Sequence, residues 1–90
     1  MPKIIFTDSY EKRARKFLAV HPELKNQYIK TLKLLSTNPS HPSLRLHKLQ
    51  GNLSVLHSAS INHSFRITLQ FIVKNDQIIP ISVGKHNEVY

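Results

Sequence analysis

From Ser64 to Val73, Phe65, Ile67, Leu69, Phe71 and Val73 fall at every second position, with Arg66, Thr68 and Gln70 between them. Successive side chains of a strand point to opposite faces, so this alternation predicts a ribbon with one apolar and one polar side. The apolar side needs a covering layer, and the preceding residues supply one. Lys3 to Thr7 is a short β-branched and aromatic run that predicts a first strand. Asp8, followed by Glu11, has the spacing of a capping box. Tyr10, Ala14, Phe17 and Leu18 then recur at helical spacing, with Lys12, Arg13, Arg15 and Lys16 on the remaining surface. His21-Pro22 breaks this helix and starts the next. The second apolar stripe is Leu24, Tyr28, Leu32 and Leu35, flanked by Ile29, and Asn38-Pro39 ends it. Helices joined so closely predict an antiparallel αα-hairpin.

After the turn-rich TNPSHPS connector the period changes to two. Leu44 to Leu49 reads as a strand with Arg45 and His47 on one side and Leu44 and Leu46 on the other. Gln50-Gly51-Asn52 reads as a tight turn. Leu53 to Ile61 is the next strand, with Val55, His57, Ala59 and Ile61 on one face and Leu56, Ser58 and Ser60 on the other. Asn62 to Ser64 and Lys74 to Gln77 are turns around the central ribbon. Ile78 to His86 is the last strand, with Ile79, Ile81 and Val83 inward and Ser82 and His86 outward. The expected fold class is α+β, in the order β-α-α-β-β-β-β, with the hairpin on one face of a small, mainly antiparallel sheet. By parity the open face carries Arg45, His47, Ser58, Ser60, Arg66, Thr68, Ser82 and His86. Pro80 has no N–H for the ladder, so it marks an edge strand or a bulge, and a bulge would reverse parity beyond it.

Ninety residues form one domain with a single two-layered core. The chain has no cysteine, which removes disulfides and thiolate ligands and fits a reducing compartment. The opening residues have no signal-peptide pattern, and no apolar run approaches the roughly 20 residues that span a bilayer. A soluble, cytoplasmic protein with no membrane partner is expected. Charge adds more: 13 Lys and Arg against 5 Asp and Glu leave a net +8. That excess points to a polyanionic partner, although solubility alone is the plainer use of surface charge.

Three motifs then stand in register: H-x-L-Q-G at His47 to Gly51, S-x-N-x-S-[FY]-R-I at Ser60 to Ile67, and G-x-H-x-E-V-Y at Gly84 to Tyr90. With the basic hairpin before them, they resemble the RelE/ParE toxin superfamily of type II toxin–antitoxin systems, in its RelE/StbE and YafQ-like branch. The resemblance spans nearly the whole chain, as a single toxin domain over 1–90. It implies a ribosome-dependent mRNA endonuclease that inhibits translation and is neutralised by a small acidic antitoxin. It also implies roles for individual residues. His47 matches the catalytic histidine before the L-Q-G turn, and His86 the histidine of the terminal motif, proposed there as general acid or base. Arg66 matches the arginine that contacts the scissile phosphate, and Tyr90 an aromatic that supports the site. Departures are equally specific. Ser60 stands where YafQ-like toxins have a further histidine, Ser64 where they have a catalytic aspartate, and Lys85 where they have a threonine.

The residue types suit that chemistry. Metal-free RNA cleavage needs a base for the 2′-hydroxyl, a cation for the phosphate and an acid for the leaving 5′-oxygen. Histidine titrates near working pH, and arginine's planar fork donates two charge-assisted hydrogen bonds. His47 as base, His86 as acid and Arg66 on the phosphate form the expected catalytic set, and the sequence leaves the two histidine roles interchangeable. Arg45 and Lys48 add cations for the backbone, and Ser60, Ser64, Lys85 and Tyr90 complete the expected RNA-binding set. No metal or cofactor is expected, since no H-x-x-x-H pair occurs and acids are few. His57 falls on the core face and reads as a packed residue. His63 reads as exposed in its turn, and His21 and His41 as boundary residues before prolines.

The expected partners are the antitoxin, the ribosome and mRNA, with DNA reached only through the toxin–antitoxin complex. An antitoxin segment is expected to cover the sheet's open face or displace the C-terminal tail. The alternative is a ParE-like gyrase poison, or a catalytically weak toxin serving as a non-enzymatic antitoxin-binding module. A plain RNA-binding module fits less well, because the strands lack an exposed aromatic pair for base stacking.

Overall fold

The protein is described here by a computed structural model that covers residues 2–49, 56–72 and 75–85. The elements are β1 (Lys3–Ile4), α1 (Asp8–Val20), a 3-10 turn (Pro22–Leu24), α2 (Lys25–Thr37), a second 3-10 turn (Pro42–Leu44), β2 (His47–Lys48), β3 (Leu56–Ser60), β4 (Phe65–Ile72) and β5 (Gln77–Lys85). Among the described residues the sheet runs β1-β5-β4-β3-β2, with β1 parallel to β5 and the other pairs antiparallel. This is the expected α+β plan, with the central ribbon as β4.

The helices pack on the apolar side of the sheet. Tyr10, Ala14 and Phe17 of α1, with Tyr28 and Leu35 of α2, meet Ala59, Ile61, Ile67, Leu69 and Ile78 in one buried cluster. Tyr10 and Tyr28 bury their hydroxyls within it and hydrogen-bond to each other at 2.8 Å. Burial keeps both phenols protonated, raising each pKa above the ordinary tyrosine range. No helix of the described residues is long and apolar enough to cross a membrane.

Several local expectations are corrected. Thr7, not Asp8, caps α1: its hydroxyl accepts from the Tyr10 N–H at 3.2 Å, and its carbonyl takes the Glu11 N–H. Asp8 and Glu11 instead place negative charge in the first turn, favourable to the helix dipole. Thr31 is a buried member of the α2 stripe, made tolerable there because its hydroxyl donates to the Gln27 carbonyl at 2.8 Å. Ile29 is left exposed. The strand expected over Leu44 to Leu49 shrinks to His47–Lys48, because Leu44 closes a 3-10 turn and Arg45 adopts a left-handed conformation, φ 45°.

The last strand carries the bulge that Pro80 announced. Thr68 pairs with Ser82 and Leu69 with Pro80, so Ile81 is the extra residue. Beyond it the inward positions are Ile78 and Pro80, opposite Phe71 and Leu69, and Ile79 moves to the face of Gln70. The expected inward placement of Ile79 therefore fails through this parity change. Arg13 of α1 steadies the irregularity by donating from Nη1 to the Ile81 carbonyl at 2.8 Å. β5 is an interior strand, so Pro80 signals the bulge and not an edge. The turn expected at Gln50 to Asn52, and the parts of the expected strands at Val55 and Val73, lie outside the described residues.

Candidate active site

Cross-strand partners share a face of the sheet. His47 pairs with Ser58, Ser58 with Thr68, and Thr68 with Ser82, so one polar row crosses β2, β3, β4 and β5 on the side away from the helices. Arg66 projects from the same face of β4, opposite Ser60 on β3 and Gly84 on β5. Gly84 brings no side chain to the position opposite the guanidinium. None of the strands β2 to β5 contains Asp or Glu, which leaves the face electropositive.

His47 is exposed at the β2 end of this row. Its Nδ1 lies 3.0 Å from the Arg45 carbonyl oxygen. A carbonyl only accepts, so Nδ1 carries the proton and Nε2 is the basic nitrogen of the neutral ring. The carbonyl is aimed by the left-handed turn at Arg45, whose own N–H closes the 3-10 turn on Pro42 at 3.1 Å. A non-glycine residue in that region stores backbone strain, of order 1–3 kcal/mol, and such strain clusters at functional sites.

Arg66 is half-buried, with Nη1 donating to the Ser58 hydroxyl at 3.5 Å. Its Nε is buried and meets no acceptor among the described residues. An anion seated at this guanidinium would supply one. Ser58, Thr68 and Ser60 are 0%, 2% and 7% exposed, while Arg66 and Ser82 are half-buried and His47 is exposed, so the expected open face is only partly open.

The remaining expected site residues divide. Ser60 sits opposite Arg66 and its hydroxyl donates to the Asn62 carbonyl at 2.7 Å. Ser64 is exposed in the turn, where its N–H and that of Phe65 donate to Asn62 Oδ1 at 2.8 and 2.9 Å. Arg45 is not on a strand face as parity suggested; it caps the 3-10 turn beside His47. Lys48 pairs with His57, in the row that faces away from His47. Lys85 pairs with Phe65 and so lies on the helix side, near Arg13 and Lys16. The structure therefore brings His47, Ser60 and Arg66 to one face and sets Lys48 and Lys85 apart. His86 and Tyr90 lie outside the described residues.

Three of the other histidines make structural contacts, and His63 is exposed in its turn. His57 stands edge-on to Phe71, ring centres 4.9 Å apart, and burial, then the Lys48 charge and His47, push its pKa down. His21 packs on Phe65 and Phe17, at 4.6 and 5.1 Å. His41 caps the second 3-10 turn by accepting the Ser43 N–H at Nδ1, 3.1 Å. Among the described residues no group of three or more His, Asp or Glu side chains is placed to hold a metal ion. Asn62, which organises the turn beside Arg66, enters the sequence reading only as a turn residue and as the N of the S-x-N-x-S motif, with no role of its own; an Asx turn was the physical signal for one.

No protein-family model matches the sequence, and no curated protein is detectably similar to it. Solved structures are similar throughout. YafQ from E. coli strain BL21(DE3) superposes with a TM-score of 0.79 at 15% identity, over 100% of this chain and 99% of that one. A metal-bound toxin from Helicobacter pylori gives a TM-score of 0.79 at 20% identity, over 100% of both chains. The E. coli DinJ–YafQ toxin–antitoxin complex gives 0.78 at 19% identity, over 99% of this chain and 97% of the other. At these identities the likeness speaks for the fold, and it agrees with the three motifs in the sequence: this chain has the fold of the RelE/ParE superfamily of toxins.

Proposed function

We propose that this protein is the toxin of a toxin–antitoxin pair and that it cleaves mRNA on the ribosome without a metal. His47 Nε2 takes the proton of a ribose 2′-hydroxyl, whose oxygen then bonds to the adjacent phosphorus. Arg66 donates to the non-bridging oxygens, where charge grows in the transition state. The bond to the 5′-oxygen breaks, and that oxygen takes a proton from the His86 imidazolium. The products are a 2′,3′-cyclic phosphate, which can open to a 3′-phosphate, and a 5′-hydroxyl. The observation that carries this reading is the hydrogen bond that fixes the His47 tautomer on the face shared with Arg66.

An acidic antitoxin is the inferred partner, in keeping with the net +8 and with the toxin–antitoxin complex of similar fold. Purified protein added to ribosome-bound mRNA should cut it within the reading frame and leave the ends just described. Free mRNA should be cut far less. Intact ribosome-bound message would end the proposal, and a DNA-damage response on expression would favour the gyrase alternative.

A further inference from the structure

The bulge in β5 decides which residues of that strand reach the candidate active site. Leu69 pairs with Pro80 and Thr68 with Ser82, so Ile81 is the extra residue. From there the ladder sets Val83 opposite Ile67, Gly84 opposite Arg66 and Lys85 opposite Phe65. A strand running on from Pro80 without the extra residue would set Ile81 opposite Thr68, Ser82 opposite Ile67 and Val83 opposite Arg66. Every side chain beyond Pro80 would change face, as any one-residue slip requires. Ser82 would enter the apolar layer, Val83 would leave it, and the polar row would end on isoleucine. The position opposite the Arg66 guanidinium would carry an isopropyl group where Gly84 now brings no side chain.

One side chain outside the sheet is bound to this irregularity. Arg13, at an exposed position of α1, donates from Nη1 to the Ile81 carbonyl at 2.8 Å. Its helix is a firm base, since Tyr10, Ala14 and Phe17 on either side of it are in the core. The cavity of about 520 Å³ that it borders also has Lys16, His21 and Lys85 on its walls, and no carboxylate among its described lining residues. Like charges disfavour a further cation there, so the bond to the carbonyl is what seats the guanidinium. A hydrogen bond from a charged donor is among the stronger ones. We propose that Arg13 is a positioning residue for the active face: from the helix side of the sheet, its bond to Ile81 fixes the bulge and with it the places of Ser82 and Gly84 beside Thr68 and Arg66. That the face so positioned cleaves RNA rests on the nuclease reading above.

The test compares Arg13→Met, which keeps the aliphatic stem without donors, with Lys16→Met, which removes one charge from the same cavity wall. In the full-length protein, amide hydrogen exchange at Ser82, Val83 and Gly84 should quicken about tenfold in Arg13→Met and stay within about twofold of the parent in Lys16→Met. On ribosome-bound mRNA, kcat should fall about fivefold in Arg13→Met with KM within about twofold, since a misplaced group loses rate and not binding. Arg13→Lys, with its single ammonium donor, should recover part of both. Unchanged exchange at those three amides in Arg13→Met, or equal quickening in Lys16→Met, would overturn the proposal. A change in KM alone would overturn it too, being the mark of a charge that only attracts RNA. Intact message in the parent, with quickened exchange in Arg13→Met, removes the nuclease and leaves Arg13 setting the register. Cut message with unmoved exchange removes the role of Arg13 alone.

Discussion

The imidazole of His47 is held by the backbone of Arg45: Nδ1 donates to that carbonyl across 3.0 Å, from a residue in the left-handed region at φ 45°. Two residues of chain thereby set which nitrogen is basic and where the ring points. A histidine on an exposed edge strand would otherwise sample both tautomers. The strained turn and the fixed tautomer are one device.

Arg45→Gly should preserve that device, because glycine enters the left-handed region without steric cost. Arg45→Val should cost about 1–2 kcal/mol of stability and release the ring. Imidazole ¹⁵N shifts report the result: the Nδ1-protonated tautomer persists in the glycine variant and mixes in the valine one. Equal tautomer populations in both would disconnect the turn from the histidine.

The Tyr10–Tyr28 pair makes a stability prediction. Removing one hydroxyl leaves the other buried and unpaired, so Tyr10→Phe or Tyr28→Phe should each cost about 1–3 kcal/mol. The double variant should cost less than the sum of the two, as urea unfolding will show. Both phenols have folded pKa values above the unfolded one, so the unfolded chain loses its protons first. Stability is therefore full below about pH 10 and falls as pH rises beyond it.

His57 gives the opposite sign. Its pKa is lowered by burial, then by Lys48 and His47, so below about pH 6.5 the unfolded chain binds the proton more readily. Stability contributed by the neutral ring is present above that pH and lost as pH falls. His57→Leu should flatten the profile between about pH 7 and pH 5. A variant with the same acid slope as the parent would place the sensitivity elsewhere.

Periodicity made the layers legible. The alternation around Arg66 and the helical spacing of Tyr10, Ala14 and Phe17 each answer to a single face, so burial follows from sequence. The bulge at Ile81 was half legible: Pro80 announces that the ladder is interrupted, but which residue is extra depends on pairing with β4. Arg45 was misplaced because its left-handed turn is set by Pro42 and the 3-10 turn, while a period-two reading assumes an unbroken strand. His41 and Asn62 were missed as organisers, since their hydrogen bonds are local and carry no periodic signal. Within the site, sequence brought His47 and Arg66 to one face, and only the register showed Ser60 as the residue opposite Arg66.

The most direct measurement maps mRNA 5′ ends after a brief pulse of expression, for the parent chain, His47→Ala and Arg66→Ala. The account predicts abundant in-frame cuts for the parent and a loss of about 100-fold or more in each variant, with folding unchanged. Messages left whole by the parent, or cut equally by the variants, would contradict it.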